Sequence, residues 1–242
     1  FLLSIMDAER VWYPEETNEG EKTGFLILPE RKGNAIHLST VVRKYTGATL
    51  TFRRGKTSVR EAVVHIKVSI LYDGLGLLRS LRYDIDQFNN NTSNNAKYES
   101  FRLLRQAAAF GVRLSKEQQH VTVDGLDSLI EYIENEHTDA VTVARSNIAA
   151  GLVDFDSLQE YFVPGQDFVD HGVGTGVTVP TLMRARACYF ARGKSLLGIV
   201  SSFYVAMEVV VSVGDSKFAV VEAQFFQSQF NGTRSITQSM DM

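Results

Sequence analysis

Two Gly-Lys-Ser/Thr triplets are the residues that most invite a phosphate-binding interpretation. They are Gly55-Lys56-Thr57 and Gly193-Lys194-Ser195. A P-loop needs a further glycine five residues before the glycine of the triplet, so that backbone amides surround the phosphates, and a helix after it. Those earlier positions hold Leu50 and Cys188, and β-type sequence follows both triplets. We therefore predict that both triplets are turns and that neither binds a nucleotide.

An acid–imidazole pair, Asp170-His171, precedes a run in which Gly172, Gly174 and Gly176 alternate with other residues. A dinucleotide-binding loop requires a strand before its glycines and a helix after them. Here Val-Thr-Val-Pro follows, which favours an extended chain, so we predict a glycine-rich loop. No nucleophile stands at a recognisable elbow beside the pair, but a hydrolase that uses Asp170 and His171 remains an alternative function.

Two Glu-x-x-His tetrads, Glu117–His120 and Glu134–His137, have the spacing that di-iron bundles use. Such a site also requires glutamates from two further helices, and the Val-Thr-Val after His120 is not helical sequence. The single cysteine, Cys188, lies in an apolar strand context, where a thiol acts as a small hydrophobic side chain. We predict no catalytic residue, no metal ligand and no cofactor-binding residue in this chain.

Basic side chains are concentrated in two stretches, residues 31–60, which contain no acid, and residues 184–194. Lysine and arginine clusters near aromatic rings are typical of nucleic-acid-binding proteins, so a nucleic-acid-binding module is a second alternative function. If they do not bind nucleic acid, we expect these basic residues to form solvated strand faces or to dock the acidic helices of this chain or of a neighbour. The candidate interaction surface comprises Arg53, Arg54, Lys56, Arg184, Arg186, Arg192 and Lys194.

Composition describes an ordinary globular chain. Its 242 residues are 44% apolar, and a net charge of -3 with 22% charged residues argues against a polyanion-binding tail. One cysteine excludes an intramolecular disulfide and is typical of a reducing compartment. No apolar run reaches the roughly 18 residues of a membrane span. We expect an intracellular protein, cytoplasmic or nuclear, with no membrane partner.

Hydrophobic periodicity predicts an α+β fold with a β-rich N-terminal part, central helices and a C-terminal antiparallel sheet. One hairpin is expected around residues 54–57, and another joins 203–213 to 218–226 across a four-residue turn. Strict alternation in the strand before Gly193 places these residues on one face: Met183, Ala185, Ala187, Tyr189 and Ala191. The other face then carries Arg184, Arg186, Cys188, Phe190 and Arg192.

Helices are expected between these β-rich parts. A helix over 71–81 is interrupted by Gly74 and Gly76, an asparagine-rich loop covers 89–95, and a further helix covers 98–114. We divide the chain into a β-rich segment 1–60, a mainly helical segment 61–165 that begins with a strand, and an antiparallel segment 166–242. The three are expected to pack together as one domain.

The segment from Asp124 to Gly165 shows the clearest helical pattern. One helix is capped by Asp124, the pattern breaks at His137, and a second helix ends at Gly151. Asp154 or Asp156 can cap a short third helix, which Pro164-Gly165 terminates. The apolar positions of the three helices are Leu126, Leu129, Ile130, Ile133, Val141, Ala144, Ile148, Leu158, Tyr161 and Phe162.

This segment resembles a domain of unknown function that lies N-terminal to the AAA-type ATPase module in many fungal proteins. The family shows two helices, a glycine, an Ile-Thr-Phe-like step, a leucine/tryptophan helix and a Pro-Gly exit. Gln159 stands where the family usually has tryptophan, and Leu152 where it often has an acid. Weaker likeness extends over residues 60–242. The matching residues are Leu129, Ile130, Ile133, Gly151, Val153, Phe155, Asp156, Leu158, Phe162, Pro164 and Gly165.

The resemblance implies a non-catalytic adaptor or substrate-recognition domain of an AAA-type ATPase. ATP and Mg²⁺ would then be bound only by a module encoded after Met242, and the full-length protein would be the ATPase. The implied partners are protein clients or adaptor proteins, with a homo-oligomer formed through the ATPase module. Nucleic acid is the less favoured partner.

Overall fold

The computed structural model describes residues 12–15, 23–30, 36–54, 60–90, 103, 105, 107–110, 120–170, 181–195, 198–215 and 217–236. The predicted α+β class is confirmed, because helices occur together with antiparallel sheets and the C-terminal part is an antiparallel sheet. Two compact units divide the chain, Phe1–Gly74 with Leu81–Glu136, and Leu75–Ser80 with His137–Met242. The predicted limits at residues 60 and 165 therefore fall inside units.

The first unit contains a four-stranded antiparallel sheet in the order β1-β2-β4-β3. Its strands are β1 (Trp12–Glu15), β2 (Thr23–Glu30), β3 (Thr49–Arg54) and β4 (Arg60–Lys67). The predicted first hairpin is confirmed as β3–β4, with Arg54 opposite Arg60, while its turn at 55–59 lies outside the described residues. Because β4 pairs on both sides, a segment limit at residue 60 would detach the central strand from its sheet.

The helices of the first unit whose bounds are described are α1 (Leu38–Thr46), α2 (Val68–Asp73), α3 from residue 81 onward (Leu75–Asn90), and α4 (Leu126–Glu136). Gly47 ends α1 with φ of 68° and donates its N–H to the Arg43 carbonyl, as left-handed C-caps do. The apolar face predicted for α4 is confirmed, because its four aliphatic residues are buried. They are Leu126, Leu129, Ile130 and Ile133.

Helix α3 corrects two predictions. The helical run breaks at Gly74 but continues through Gly76 to Asn90, so the first residues of the predicted asparagine loop are helical. Asn89 has a structural role at the end of this helix. Its side-chain amide donates to the Val121 carbonyl at 2.8 Å and accepts the Val121 N–H at 2.9 Å. Of the predicted helix 98–114, residues 103, 105 and 107–109 are helical, and the remainder is not described, apart from a turn at residue 110.

The second unit is built on another antiparallel sheet, in the order β6-β7-β8-β9. Its strands are β6 (Asp167–Asp170), β7 (Thr181–Ser195), β8 (Gly198–Gly214) and β9 (Lys217–Ser228). The predicted C-terminal hairpin is confirmed as β8–β9. Gly193-Lys194-Ser195 was predicted to be a turn, but these residues end β7 and pair with residues 198–200 of β8. A strand therefore follows this triplet.

Short elements complete the second unit: α5 (Thr138–Ala149), β5 (Leu152–Val153), α6 (Leu158–Tyr161) and β10 (Arg234–Ser235), which pairs with β5. Gly151 follows α5 with φ of 75°, which agrees with the predicted helix stop. Ser157, not an aspartate, precedes α6. Asp154 and Ser157 instead bond reciprocally, each side chain accepting the other's backbone N–H at 2.8 and 3.0 Å.

The residues that carry the family resemblance lie in the core of the second unit. Val153, Phe155, Leu158 and Phe162 are buried in one cluster with Cys188 and with other residues of the sheet. Gly165 has φ of 91° and donates its N–H to the Ala185 carbonyl at 2.8 Å. The resembling segment is therefore a scaffold that packs on the sheet. The sheet residues of the cluster include Met183, Ala185, Phe203, Val205 and Met207.

Close packing of Gly76 against β7 yields the first prediction. A Cβ at Gly76 would lie 2.5 Å from both the carbonyl oxygen and the Sγ of Cys188. Overpacking costs more than alanine gains in a helix, so Gly76→Ala should lower the free energy of unfolding by about 1–2 kcal/mol. Gly74→Ala is the matched control, since its methyl would meet the Thr46 Cγ2 at 3.3 Å. Equal losses in urea denaturation of the two variants would contradict the packing argument.

Candidate interaction surface

The predicted basic residues lie in both units. Arg53 and Arg54 end β3 of the first unit, and the other described positions are on β7 of the second. Lys56 lies outside the described residues, as do the side chains of Arg53, Arg54, Arg192 and Lys194. The predicted surface can therefore be assessed at Arg184 and Arg186.

A bulge in β7 changes the face on which its side chains lie. Ala185 is opposite Met207 and Ala187 is opposite Ala206, so Arg186 is an extra residue in the ladder. Ser80 donates its hydroxyl to the Arg186 carbonyl at 2.6 Å, which gives this carbonyl a partner at the bulge. The predicted strict alternation is wrong beyond Ala185. Cys188 and Phe190 lie toward the core, whereas Ala187 and Tyr189 lie on the opposite face.

Arg186 is correspondingly not part of an exposed basic surface. Its side chain is 3% exposed and its Nε lies 2.6 Å from Oε1 of Glu208, whose side chain is also largely buried. A buried charge requires a partner because transfer from water into the interior is costly. The Arg186 charge is therefore neutralised within the unit, and the prediction that Arg186 contacts an external partner is corrected.

Arg184 is exposed, but it too has a carboxylate partner. Its Nε and Nη2 donate to the two oxygens of Asp167 at 2.6 and 3.0 Å, a bidentate arrangement across β6 and β7. Hydrogen bonding to Arg184 and its positive charge lower the pKa of Asp167 below its usual value, against a smaller opposing effect of burial. The pair presents a dipole to solvent more than a free positive charge.

The other predicted chemistry is only partly described. His171 and the glycines at 172, 174 and 176 lie outside the described residues, as does the side chain of Asp170. Glu117 is also outside them, while His120 lies in an extended segment and Glu134 in α4. Within the described ranges, no three His, Cys, Asp or Glu residues are grouped as a metal site would need. None of the helices seen there is both long and apolar enough to cross a bilayer.

Cys188 carries a thiol, a group that is a strong nucleophile when it is deprotonated. Burial raises the pKa of its thiol to about 12, and the nearby Arg79 charge opposes this only in part. A thiolate is the reactive form of cysteine, so the folded unit keeps this group protonated near neutral pH. The interpretation of Cys188 as a core side chain agrees with its position against Phe155 and Phe203 in the apolar cluster.

A second buried ion pair lies between α3 and α6. Arg79 donates from Nη1 and Nη2 to the two oxygens of Glu160 at 2.9 and 3.2 Å, and the two side chains are 5% and 1% exposed. Arg145, which is mostly exposed, approaches the same carboxylate at 3.5 Å. Two guanidinium groups thus share one carboxylate. The arrangement joins two helices of the second unit, and each buried charge has its partner within that unit.

Gln159, at the position where the resembling family usually has tryptophan, is buried beside this ion pair. Neither its amide nitrogen nor its amide oxygen has a hydrogen-bond partner among the described residues. Leaving such groups unpaired inside a protein costs free energy. The buried Gln159 amide therefore lowers the stability of the second unit.

The outer face of the second sheet carries the main exposed apolar surface of the described residues. We define the outer face as the side opposite Met183, Phe203 and Met207. Val169 pairs with Leu182, and Val210 pairs with Val220. Because Met183 pairs with Val209, Leu182 lies beside Val210, and the four residues form one row across all four strands. With Phe218 next to the row, these side chains are 41–71% exposed. We call these five residues the aliphatic patch.

Two further rows lie along the outer face, and the first of them borders the aliphatic patch. The first is charged and contains Asp167, Arg184, Glu208 and Glu222 in consecutive strands. Further along lies an aromatic row in which Tyr189 and Tyr204 stack with ring centroids 5.2 Å apart, and Phe226 lies 6.2 Å from Tyr204. An apolar patch rimmed by polar residues is the usual character of a protein-binding surface.

Sequence reasoning missed the aliphatic patch. The predicted alternation in β7 concerns the side chains of one strand. The patch depends on the register among four strands, which the alternation within one strand does not define. The sequence did contain a sign of the patch. Near the β8–β9 turn, β-branched residues occupy consecutive positions, so apolar side chains lie on both faces of the strands and not only on the buried one.

The buried pair between Arg79 and Glu160 yields the second prediction. Glu160→Gln leaves the Arg79 charge buried without a carboxylate, so we expect a loss of about 3–5 kcal/mol in the free energy of unfolding. Arg145→Gln removes the exposed partner of the same carboxylate and should change it by less than about 1 kcal/mol. Chemical denaturation of both variants distinguishes the two, and similar losses would contradict a dominant role for the buried pair.

The Asp167–Arg184 pair yields the third prediction. Arg184→Gln should raise the pKa of Asp167 toward its usual value, because it removes the guanidinium and its hydrogen bonds. A lowered folded pKa stabilises the protein above the unfolded pKa of about 4, and that contribution is lost as the pH falls through the folded value. Carboxyl NMR titration measures the shift, and Arg145→Gln should leave the titration unchanged. An unaltered Asp167 pKa in Arg184→Gln would contradict the assignment.

Comparison of the chain with protein-family models, with curated proteins and with solved structures finds no match.

Proposed function

We propose that this chain is a non-catalytic adaptor or substrate-recognition domain that precedes an AAA-type ATPase module. The resemblance of residues 124–165 to the fungal domain family supports this proposal. Four of the resembling residues, Val153, Phe155, Leu158 and Phe162, are buried in one core cluster, so the resemblance concerns residues that hold the fold together. Residues that share a core specify a scaffold. A scaffold common to a family is consistent with a common place in a larger protein.

The observation that carries the binding role is the aliphatic patch. Large side chains on Val169, Leu182, Val210, Val220 and Phe218 are exposed together on one sheet face. Exposed apolar residues scattered singly are ordinary, but a contiguous group is a feature of surfaces that contact other proteins. We therefore propose protein clients or adaptor proteins as the partners, with binding through the aliphatic patch.

The charges of β7 support a protein partner over a nucleic acid. Arg184 is paired with Asp167, and Arg186 is buried against Glu208. Nucleic-acid affinity depends on lysine and arginine side chains that are available to phosphates. Under this proposal ATP and Mg²⁺ bind in the downstream module, which also forms any ring, and the protein functions in the cytoplasm or nucleus.

The fourth prediction tests the aliphatic patch. We expect the chain to bind immobilised decapeptides in which apolar and polar residues alternate, and Leu182→Asp combined with Val210→Asp should weaken that binding roughly tenfold or more, since it places charge in the apolar contact. Val143→Asp is the matched control, because Val143 is equally exposed on α5 but far from the patch in sequence and outside the sheet.

Three results would contradict the proposed function. One is peptide binding that is unchanged in the double variant. Another is salt-sensitive binding of a labelled oligonucleotide that is lost with Arg53→Glu and Arg54→Glu. The third is turnover of an ester or phosphate panel that His171→Ala abolishes. The reading frame after Met242 tests the setting independently, since the proposal requires an AAA-type module there.

A further inference from the structure

Strand β9 has an open edge. It is the last strand in the order β6-β7-β8-β9, and within the described residues it pairs with β8 alone. The strand is 12 residues long, Lys217–Ser228, and most of it is exposed. A long, apolar edge strand is a template for a further strand unless charge, proline or a bulge protects it. β9 contains no proline, and its only charges are Lys217 at its start and Glu222.

The sequence of β9 has a palindromic pattern of polarity. Its centre is Ala223, flanked by Glu222 and Gln224, and then by the apolar pairs Val220-Val221 and Phe225-Phe226. Over residues 220–226, two antiparallel copies centred on Ala223 would therefore place apolar residues opposite apolar residues and polar residues opposite polar residues, while Ala219 and Phe218 would face Gln227 and Ser228. This property belongs to the strand itself and needs no other segment of the chain.

We propose that two copies of this chain pair through β9 in an antiparallel manner, about a twofold axis that lies perpendicular to the sheet between their two Ala223 residues. Val220 of one copy then lies opposite Phe226 of the second copy, Val221 opposite Phe225, and Glu222 opposite Gln224. Such an axis keeps the outer faces of both sheets on the same side. It also makes the interface isologous, as in most homodimers.

The faces agree with this register. Val220, Glu222, Gln224 and Phe226 lie on the outer face, because they are opposite outer-face residues of β8. Val221, Ala223 and Phe225 lie on the core-facing side. Residues that face each other in an antiparallel pair lie on the same side of the sheet, and the proposed partners in each case do so. The pairing therefore requires no change of face in either copy.

Charge selects Ala223 over its neighbour as the centre. A twofold centred on Glu222 would place the two Glu222 carboxylates directly opposite each other, which destabilises a strand pair. Centring on Ala223 places each Glu222 beside the Gln224 amide of the second copy, whose nitrogen donates one N–H to Tyr189 of its own chain at 3.1 Å and has a second N–H to donate. The small side chain of Ala223 suits a position where a residue meets its own copy.

The assembled sheet would run without interruption from β6 of one copy to β6 of the second. The aromatic row of Tyr189, Tyr204 and Phe226 would continue into Val220 of the second copy. The outer face would double in extent. The inference stands on β9 alone and does not depend on the proposed adaptor function.

The fifth prediction tests the register through charge. Sedimentation of the 242-residue chain over a concentration series should show a dimer. Val220→Glu combined with Phe226→Glu should weaken dimerisation roughly tenfold or more, because it places like charges opposite each other twice. Val220→Glu combined with Phe226→Lys alters the same positions and should restore the dimer through two opposite-charge pairs. Val143→Glu controls for loss of an exposed valine elsewhere.

Single-cysteine variants test the position of the axis. In the proposed register residue 223 alone faces its own copy, so Ala223→Cys should form a disulfide-linked dimer fastest under mild oxidation. Val221→Cys and Gln224→Cys are the matched neighbours and should cross-link more slowly, while buried Cys188 is common to all variants.

Each outcome decides the inference. A chain that stays monomeric over the series overturns it, as does a dimer that survives the paired glutamates. Failure of the glutamate–lysine variant to restore the dimer overturns the register, as does fastest cross-linking at a residue other than 223. Circular dichroism of each variant shows that the fold is kept. Loss of peptide binding without loss of the dimer would affect only the proposed function.

Discussion

The extra residue at Arg186 is the constraint on which the C-terminal sheet depends. By adding one residue to β7, the bulge reverses which alternate side chains meet the core, so that Cys188 enters the apolar cluster and Tyr189 joins the aromatic row. The Ser80 hydroxyl satisfies the Arg186 carbonyl, and Glu208 neutralises its guanidinium. Without these partners the bulge would leave a carbonyl and a charge unsatisfied in the interior. The bulge therefore determines which residues of β7 after Ala185 lie on the core side and which lie on the outer face.

The residues that carry the family resemblance and the surface that we propose for binding occupy opposite sides of the same sheet. Phe155, Leu158 and Phe162 pack on the core side, where a change of size or polarity disturbs neighbours, so such positions are restricted by packing. Among the described residues, the side chains of the aliphatic patch are largely exposed, and β9 pairs on one side with β8. A scaffold of this kind can retain its core while its outward side chains are adapted to different partners. A resemblance that rests on core residues therefore does not identify what the chain binds.

Local patterns predicted the elements whose physics is local. The face of α4, the break near His137, the stop at Gly151 and both hairpins follow from helical spacing, capping and turn chemistry. The bulge at Arg186 could not be predicted from local patterns. Its partner Ser80 is 106 positions away in the chain, and its partner Glu208 is 22 positions away and comes close through the sheet register. The extension of α3 to Asn90 likewise depends on a distant group, the backbone of Val121. Polar residues that appear suited to loops or surfaces thus proved to be structural when a remote partner was available.

The close approach of Gly76 to Cys188 has a consequence for redox chemistry. Each oxidation step of a cysteine adds an oxygen atom to the sulfur. The helix backbone at Gly76 lies so near that even a single carbon placed there would meet this sulfur at 2.5 Å. The side of the sulfur that faces Gly76 therefore has no room for an added oxygen atom while this contact is closed. Oxidation of Cys188 on this side therefore requires α3 and β7 to separate, which makes it depend on local opening of the second unit.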